Sequence, residues 1–145
     1  MAVKPVPEGY HTVTPYLIVK DCDRLLTFLK AAFDAQVKEE HRLADGSVMH
    51  ADVIVGDSHI MMGQANEKWP VMTGSILLYV PDADATYQTA LRAGATSIQE
   101  MATQFYGDRS GGVKDPAGNS WWISTHVEDV SPEEMERRMK AMQPA

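Results

Sequence analysis

Apolar and polar residues alternate along eight short stretches of the chain, and two longer stretches repeat apolar residues every three or four positions. Alternation places successive side chains on opposite faces of a β-strand, whereas the longer spacing follows one face of an α-helix. The pattern predicts a strand over 13–19, a helix over 21–33, strands over 36–43, 47–55 and 58–63, then a strand over 75–80, a helix over 82–93, and strands over 96–102, 109–114 and 120–126. The order strand, helix and three strands therefore occurs twice, which predicts an α+β fold.

The two halves of the chain also match in their letters. Residues 14–21, Thr-Pro-Tyr-Leu-Ile-Val-Lys-Asp, align with residues 75–82, Ser-Ile-Leu-Leu-Tyr-Val-Pro-Asp, at an offset of 61 residues from 14 to 75. Each copy ends in an acid that can cap the following helix, and a second acid follows two positions later. Two copies at this offset do not make a solenoid, so we expect one domain, residues 1–145, built from two β-α-β-β-β modules.

The modules are followed by a further helix. Module one covers about residues 11–64 and module two about residues 73–126. The additional helix is predicted over 131–142, where Ser131 suits the N-cap and Pro132 the first helical position. Its three methionines form an apolar stripe. That stripe packs either on its own domain or on a partner chain, and the sequence leaves both arrangements open.

A predicted hairpin in module one shows which side chains share a face. The two-residue loop Gly56-Asp57 suits a type II′ turn and pairs Val55 with Ser58. One face of this hairpin is apolar and should lie under the helix; it carries Met49, Ala51, Val53, Val55, Ile60 and Met62. The opposite face, which we call the cup face, carries His50, Asp52, Ile54, His59, Met61 and Gly63.

The same alternation extends the cup face to other strands. Aromatic, hydroxyl and imidazole side chains occupy it in place of the Lys and Glu of a solvated face, and this composition is typical of a ligand pocket. A second core layer or a dimer interface would give the same composition. The further cup-face residues are Thr14, Tyr16 and Ile18 in the first strand, Ser75, Leu77 and Tyr79 in the fifth, and Ser120, Trp122, Ser124 and His126 in the eighth.

Charge and composition exclude some classes of binding partner. The net charge of −7 argues against nucleic acid and against an anionic membrane, since both are bound mainly through positive charge. The chain contains one cysteine, Cys22, so no disulfide can form within it. Residues 1–10 lack the apolar core of a signal peptide, and no apolar run approaches the roughly 18 residues of a membrane span. We therefore expect a cytoplasmic protein.

Three segments narrow the class further: 48–57, Val-Met-His-Ala-Asp-Val-Ile-Val-Gly-Asp; 105–109, Phe-Tyr-Gly-Asp-Arg; and 115–121, Asp-Pro-Ala-Gly-Asn-Ser-Trp. With the duplicated module and the tail 125–134, the sequence resembles the vicinal oxygen chelate superfamily, which includes glyoxalase I, bleomycin-resistance proteins and extradiol dioxygenases. Within it, these segments resemble the PhnB-like branch. The resemblance implies a U-shaped mixed sheet with the ligand inside its cup. We also expect a homodimer.

The metal enzymes of this superfamily bind their ion through four side chains of the cup. The resemblance places the corresponding positions on Thr14, Met61, Ser75 and Trp122. None of these is the carboxylate, imidazole or amide that such a site needs. We therefore expect no metal cofactor.

A different metal site, or an acid–base group, is the alternative. His50 and His59 share the cup face but lie about 13 Å apart along the predicted hairpin, which is too far for one ion. Asp52 with either histidine stays open, as does a divalent metal held there with help from another strand. A cup histidine could also act alone as acid and base.

Arg109 stands beside Tyr106 in a predicted loop segment. A guanidinium there can bind a carboxylate or phosphate through two hydrogen bonds. The alternative is an ion pair with Asp108 or Asp115 that holds the turn. The sequence contains no phosphate loop, dinucleotide motif or nucleophile–base pair.

These observations predict a metal-free protein of this superfamily that binds a small, partly aromatic molecule in its cup, without nucleic acid or membrane partners. The alternative is a lyase, isomerase or dioxygenase-type enzyme that uses a non-standard metal or a cup histidine. No catalytic residue is assigned. The expected ligand-binding residues are Thr14, Tyr16, His50, Asp52, Met61, Ser75, Tyr79, Tyr106, Arg109 and Trp122.

Overall fold

A computed structural model describes residues 2–143. The predicted α+β order is confirmed, and most element ends fall within one or two residues of the prediction. The first strand is shorter than predicted, because it begins at Tyr16 rather than at 13. The elements are β1 Tyr16–Val19, α1 Cys22–Phe33, β2 Gln36–Arg42, β3 Val48–Val55, β4 Ser58–Gln64, β5 Ser75–Tyr79, α2 Ala83–Arg92, β6 Thr96–Thr103, β7 Asp108–Lys114, β8 Ser120–His126 and α3 Pro132–Met142.

Each module forms its own four-stranded mixed sheet. The strand orders are β1-β4-β3-β2 and β5-β8-β7-β6, and in each sheet the first strand of the module pairs in parallel with the last. In the described part of the chain β1 and β5 do not pair, so the eight strands make two sheets rather than one continuous U. The cup that the sequence predicts is therefore divided into two walls, one on each sheet.

The two modules share one hydrophobic core on the helix side of the sheets. Helix α1 packs on β3 and β4, α2 packs on β7 and β8, and the two helices contact each other. Phe33 at the end of α1 reaches Trp121 of β8, with ring centroids 5.1 Å apart. Trp121 is fully buried in the same cluster as Leu25 and Leu29 of α1. Burial of these apolar faces against each other, rather than backbone pairing between the sheets, holds the modules together.

The repeated acids explain how each helix is joined to its sheet. Asp21 and Asp82 cap α1 and α2, each accepting a hydrogen bond from the backbone N–H three residues later. The second acid of each pair reaches a strand. Asp23 accepts a hydrogen bond from the backbone N–H of Val48, and Asp84 binds the guanidinium of Arg109.

The hairpin register is confirmed, with Val55 opposite Ser58 and a positive φ at Gly56 alone of the two turn residues, as a type II′ turn requires. The placement of Met49 under the helix was wrong. His41 pairs with His50 and Arg42 with Val48, so Met49 is an extra residue in a β-bulge. Val48 is buried in its place, and Met49 is exposed.

Helix α3 begins as predicted, with the Ser131 hydroxyl accepting from the backbone N–H of Glu134. None of its residues is buried. Arg138 joins it to the module-two loop, donating to the Phe105 carbonyl at 2.9 Å and to the carboxylate of Glu128. The methionine stripe stays largely exposed, with Met139 and Met142 open to solvent.

Candidate functional site

The wall of module one holds a buried carboxylate. Asp52 of β3 is fully buried, and its two oxygens have different partners. Oδ1 lies 2.9 Å from Nδ1 of His59, and Oδ2 accepts a hydrogen bond from the Tyr10 hydroxyl. The Tyr10 ring stacks on the His59 imidazole, with centroids 3.7 Å and planes 19° apart. Tyr10 thus brings the N-terminal segment, residues 2–12, across the cup face.

The hydrogen bond to Asp52 raises the pKa of Tyr10 to about 12, and burial and the carboxylate charge act in the same direction. A phenol that donates to a carboxylate keeps its proton because ionisation would place two negative charges in contact. Tyr10 is therefore a neutral donor at physiological pH.

His50 has aromatic neighbours rather than a carboxylate partner. Its ring lies 5.7 Å from that of Tyr16 and 5.8 Å from that of His41, measured between centroids. The Tyr16 ring rests on β4 at Gly63, where a Cβ atom would stand 2.9 Å from the Tyr16 hydroxyl. Of the two pairings that the sequence left open for Asp52, the structure has the one with His59.

The wall of module two is organised around Trp122. Its indole Nε1 donates to the Ser75 hydroxyl at 2.9 Å, so two residues at expected metal-ligand positions bind each other. The indole lies over Gly112 of β7, where even a Cβ atom would collide with the ring. Gly112 therefore lets the indole lie flat on the sheet, where Trp122 is partly buried.

A second aspartate–histidine pair lies at the other end of this wall. Asp108 of β7 is buried, accepts a hydrogen bond from the Tyr79 hydroxyl at 2.8 Å, and lies 2.8 Å from Nδ1 of His126. Nε2 of His126 lies 2.7 Å from Asp129. The hydrogen bonds to Asp108 and then Asp129 raise the pKa of His126, and the hydrogen bond to Asp108 raises the pKa of Tyr79.

Arg109 does not face the cup. It lies on the helix side of β7 and forms a bidentate pair with Asp84 of α2, at 2.9 and 3.0 Å. The expected partners Asp108 and Asp115 were therefore wrong, since alternation along β7 turns Asp108 to the cup and Arg109 away from it. This hydrogen-bonded pair lowers the pKa of Asp84 and raises that of Arg109.

The other expected positions have different surroundings. Thr14 and Met61 line a cavity of about 380 Å³ beneath residues 5–12. Tyr106, in the loop between β6 and β7, is partly exposed and stands edge-on to Phe105. A larger cavity, of about 1110 Å³, lies between the modules and extends from His59 to Leu77 and Tyr79.

Within residues 2–143, no three His, Cys, Asp or Glu side chains lie together in a way that could hold an ion. Asp115, another buried acid, is occupied by the turn it closes, accepting from Ala117, Asn119 and Trp121. Burial raises the pKa of the Cys22 thiol to about 11, so it is not a ready nucleophile.

Sequence reasoning missed Tyr10 and the role of Asp108. Tyr10 precedes the first strand, where no periodicity predicts what it touches. Asp108 was treated as a loop residue because the predicted strand began at 109. One more residue of strand would have placed it opposite His126, which the alternation already set on the cup face.

The architecture defines a class: an α+β protein of two β-α-β-β-β modules with a polar and aromatic wall on each sheet. Residues 10–123 match the family model of the glyoxalase/bleomycin resistance protein/dioxygenase superfamily. The chain belongs to this superfamily, as its sequence resemblance implied.

One curated relative and two solved structures are similar to this chain. The uncharacterized protein Rv0887c of Mycobacterium tuberculosis is 32% identical, over 89% of this chain and 82% of the relative. The crystal structure of TioX from Micromonospora sp. ML1 matches with a TM-score of 0.70 at 24% identity, over 81% of this chain and 99% of that one. TnmS3, an antibiotic binding protein from Streptomyces sp. CB03234, matches with a TM-score of 0.65 at 17% identity, over 88% and 99%. At these identities the two structures establish the fold alone.

None of the helices in residues 2–143 is long and apolar enough to cross a bilayer.

Proposed function

We propose that this chain binds a small, partly aromatic organic molecule through the side chains of its cup and without a metal ion. The quoted segments favour the PhnB-like branch of the superfamily. A cytoplasmic location belongs to the same proposal and is in keeping with the acidic charge and the buried free thiol of Cys22.

The hydrogen bond between Trp122 and Ser75 carries this proposal. It uses the polar atoms at two of the four metal-ligand positions to orient an indole, leaving a flat aromatic surface beside the cup. The remaining positions are Thr14 and Met61, a hydroxyl and a thioether. Neither is a strong ligand for the divalent metals that such enzymes use. A planar ligand would instead stack on Trp122, with Tyr79 and Tyr16 as further aromatic contacts.

The second candidate is an enzyme, favoured by the pairing of His59 with buried Asp52. A carboxylate that holds one nitrogen of an imidazole orients the other nitrogen for proton transfer. In the structure His59 is 7% exposed and lies under Tyr10. Catalysis by His59 would therefore require residues 2–12 to move away.

We also propose a homodimer in which a partner chain completes each cup. Side chains on the first strand of each wall are open to solvent, with exposed fractions of 50% for Tyr16, 48% for Leu77 and 65% for Tyr79. Strand β5 also has one edge without a neighbouring strand in the described chain. Apolar side chains on an open sheet edge favour association with another sheet.

The binding proposal is tested by fluorescence titration with 8-anilinonaphthalene-1-sulfonate, a planar aromatic anion. The protein carries Trp69→Phe, so that the exposed loop tryptophan does not contribute. We expect saturable quenching that is lost in Trp122→Ala and kept in Leu43→Ala, which changes an exposed loop residue outside the cup. Quenching that is unchanged in Trp122→Ala, or no response at all, would contradict the proposal.

Metal analysis of the purified protein separates the two candidate functions. A divalent metal at one equivalent per chain that survives dialysis and is lost in His50→Ala would overturn the metal-free proposal. Turnover lost in His59→Gln, with metal absent, would favour the enzyme.

A further inference from the structure

The contact of Tyr10 with module one has the form of a bound ligand. Its ring lies flat on His59 and its hydroxyl donates to Asp52, so both the π-face and the polar atom are recognised. The residue reaches this place from a segment outside the repeated modules. In module two the tyrosine that donates to a buried aspartate beside a histidine, Tyr79, belongs to strand β5 itself.

Apart from the Tyr10 side chain, residues 2–12 are held only weakly against the rest of the protein. All of them except Tyr10 are exposed. Among the described residues, the one hydrogen bond that joins this segment to the rest of the chain is that from Tyr10 to Asp52. The other hydrogen bonds of the segment are internal, from Lys4 to Glu8 and from the Tyr10 N–H to Pro7. A segment held by a single ring can be displaced by a competing ring.

The Asp52 carboxylate, which is the polar partner of Tyr10, needs a hydrogen-bond donor at its second oxygen. Asp52 is fully buried, and only one of its oxygens is satisfied by His59. If Tyr10 leaves, Oδ2 loses its hydrogen bond in a partly desolvated place, which is costly for a carboxylate. A ligand that supplies a hydroxyl donor at the same point recovers that free energy, whereas a hydrocarbon ring does not.

Space for a larger ligand adjoins the ring. The cavity of about 380 Å³ is bounded by Tyr10 and Pro7 on the segment side and by Thr14 and Met61 on the sheet side. Two of the expected cup residues therefore lie next to the place that Tyr10 fills.

We propose that Asp52 and His59 form a recognition site for a phenolic ring of the ligand, and that Tyr10 is the chain's own occupant, displaced when ligand binds. This inference rests on the proposed binding function and names the ligand class: a planar hydroxyaromatic compound. The ring stacks on His59, and the hydroxyl donates to Asp52.

The test uses p-cresol, which is the side chain of tyrosine, and toluene, which lacks the hydroxyl. Binding is followed by NMR chemical shifts of the module-one strands in the wild type and in Tyr10→Ala. We expect Tyr10→Ala to bind p-cresol about tenfold or more tightly than the wild type does, because the occupant is gone. We expect it to prefer p-cresol over toluene by a similar factor, because a hydrogen bond to a carboxylate is among the stronger kind. Equal binding of the two compounds would show that the site accepts any ring of this size without recognising the hydroxyl, and it would overturn the proposal.

A second measurement uses the wild-type chain, in case Tyr10→Ala folds poorly. Cleavage after Glu8 by a glutamate-specific protease reports release of the segment. We expect p-cresol to accelerate this cleavage and toluene to leave it unchanged, with the acceleration lost in Asp52→Asn. Cleavage that p-cresol does not change would contradict displacement. If Trp122 still responds to the anilinonaphthalene probe in that case, only this inference fails and the binding function stands.

Discussion

At the scale of single residues, buried aspartates organise both the turns and the walls. Asp52, Asp108 and Asp115 are each nearly or fully buried, yet each carboxylate receives donors at both oxygens. The carboxylate oxygens of Asp115 accept hydrogen bonds that close the turn before β8. Asp52 and Asp108 each bind one histidine and one tyrosine on the cup face. A buried carboxylate is tolerated only with such partners, so we expect substitutions that remove these partners or the carboxylate itself to lower the stability of the fold.

The Asp115→Ala substitution should lower the free energy of unfolding by roughly 3 kcal/mol, because several buried N–H donors lose their acceptor at once. These include the indole N–H of Trp121, at 2.7 Å, and the amide of Asn119, at 2.9 Å. Urea denaturation measures the change. Asp57→Ala, in the exposed turn between β3 and β4, is the control and should cost under about 0.5 kcal/mol. Equal losses at both positions would contradict the role assigned to Asp115.

His126 should titrate above the ordinary value of 6.5, because Asp108 and then Asp129 stabilise its protonated form. The raised pKa means that this contribution to stability is complete below pH 6.5 and is lost as the pH rises through the midpoint in the folded protein. NMR of the ring protons gives that midpoint. It should move down towards 6.5 in Asp108→Asn. A midpoint at or below 6.5 in the wild type would refute this assignment.

At the scale of elements, the helices of the two modules, α1 and α2, end differently. Helix α2 is followed, after its C-cap residue Ala93, by Gly94 at a positive φ of 112°, as the sequence predicts for a glycine after a helix. Helix α1 ends with Asp34 in the left-handed region, at φ 55°, the one non-glycine residue with a positive φ among those described. A side chain there carries a steric cost that glycine avoids.

Asp34→Gly should therefore stabilise the protein by about 0.5 kcal/mol, since removal of the Cβ strain outweighs the added freedom of the unfolded chain. Thermal or urea denaturation measures the difference. Ala93→Gly is the matched control, because Ala93 ends α2 at a φ of −80° where glycine brings no relief. That control should destabilise. A loss of stability in Asp34→Gly would show that its side chain has a role beyond the turn.

At the scale of the whole molecule, the helices lie in the shared core and leave the sheet walls partly open. Phe33 and Trp121 join the modules on the helix side, while Tyr16, Leu77 and Tyr79 are exposed on the other side. This distribution is the reason for proposing that a second copy closes the cup.

Leu77→Asp should shift the protein from dimer to monomer, because it places a charge in the middle of the exposed wall of β5. Light scattering coupled to size-exclusion chromatography measures the mass. Leu43→Asp is the control, since Leu43 is similarly exposed, at 43%, in the loop after β2. It should leave the mass unchanged. A wild-type chain that is already monomeric at high concentration would disprove the proposed homodimer.

The sequence by itself determined the elements, their order and the hairpin register. These depend on local rules: alternation along strands, helical spacing, capping acids and turn glycines. The same rules placed Tyr16, Asp52, Tyr79 and Trp122 on one face of their strands. They failed at Met49, because a β-bulge depends on the partner strand, and they were not applied to Arg109, which was treated as a loop residue although alternation along β7 turns it to the helix side.

Only the tertiary structure decided how those faces are used. Contacts between residues far apart in the chain cannot be inferred from local periodicity, because they depend on how separate elements pack. The occupation of Asp52 by Tyr10, across 42 positions, is one such contact, and that of Ser75 by Trp122, across 47 positions, is another. The division of the predicted cup into two walls, with a shared core on the helix side, follows from the same packing.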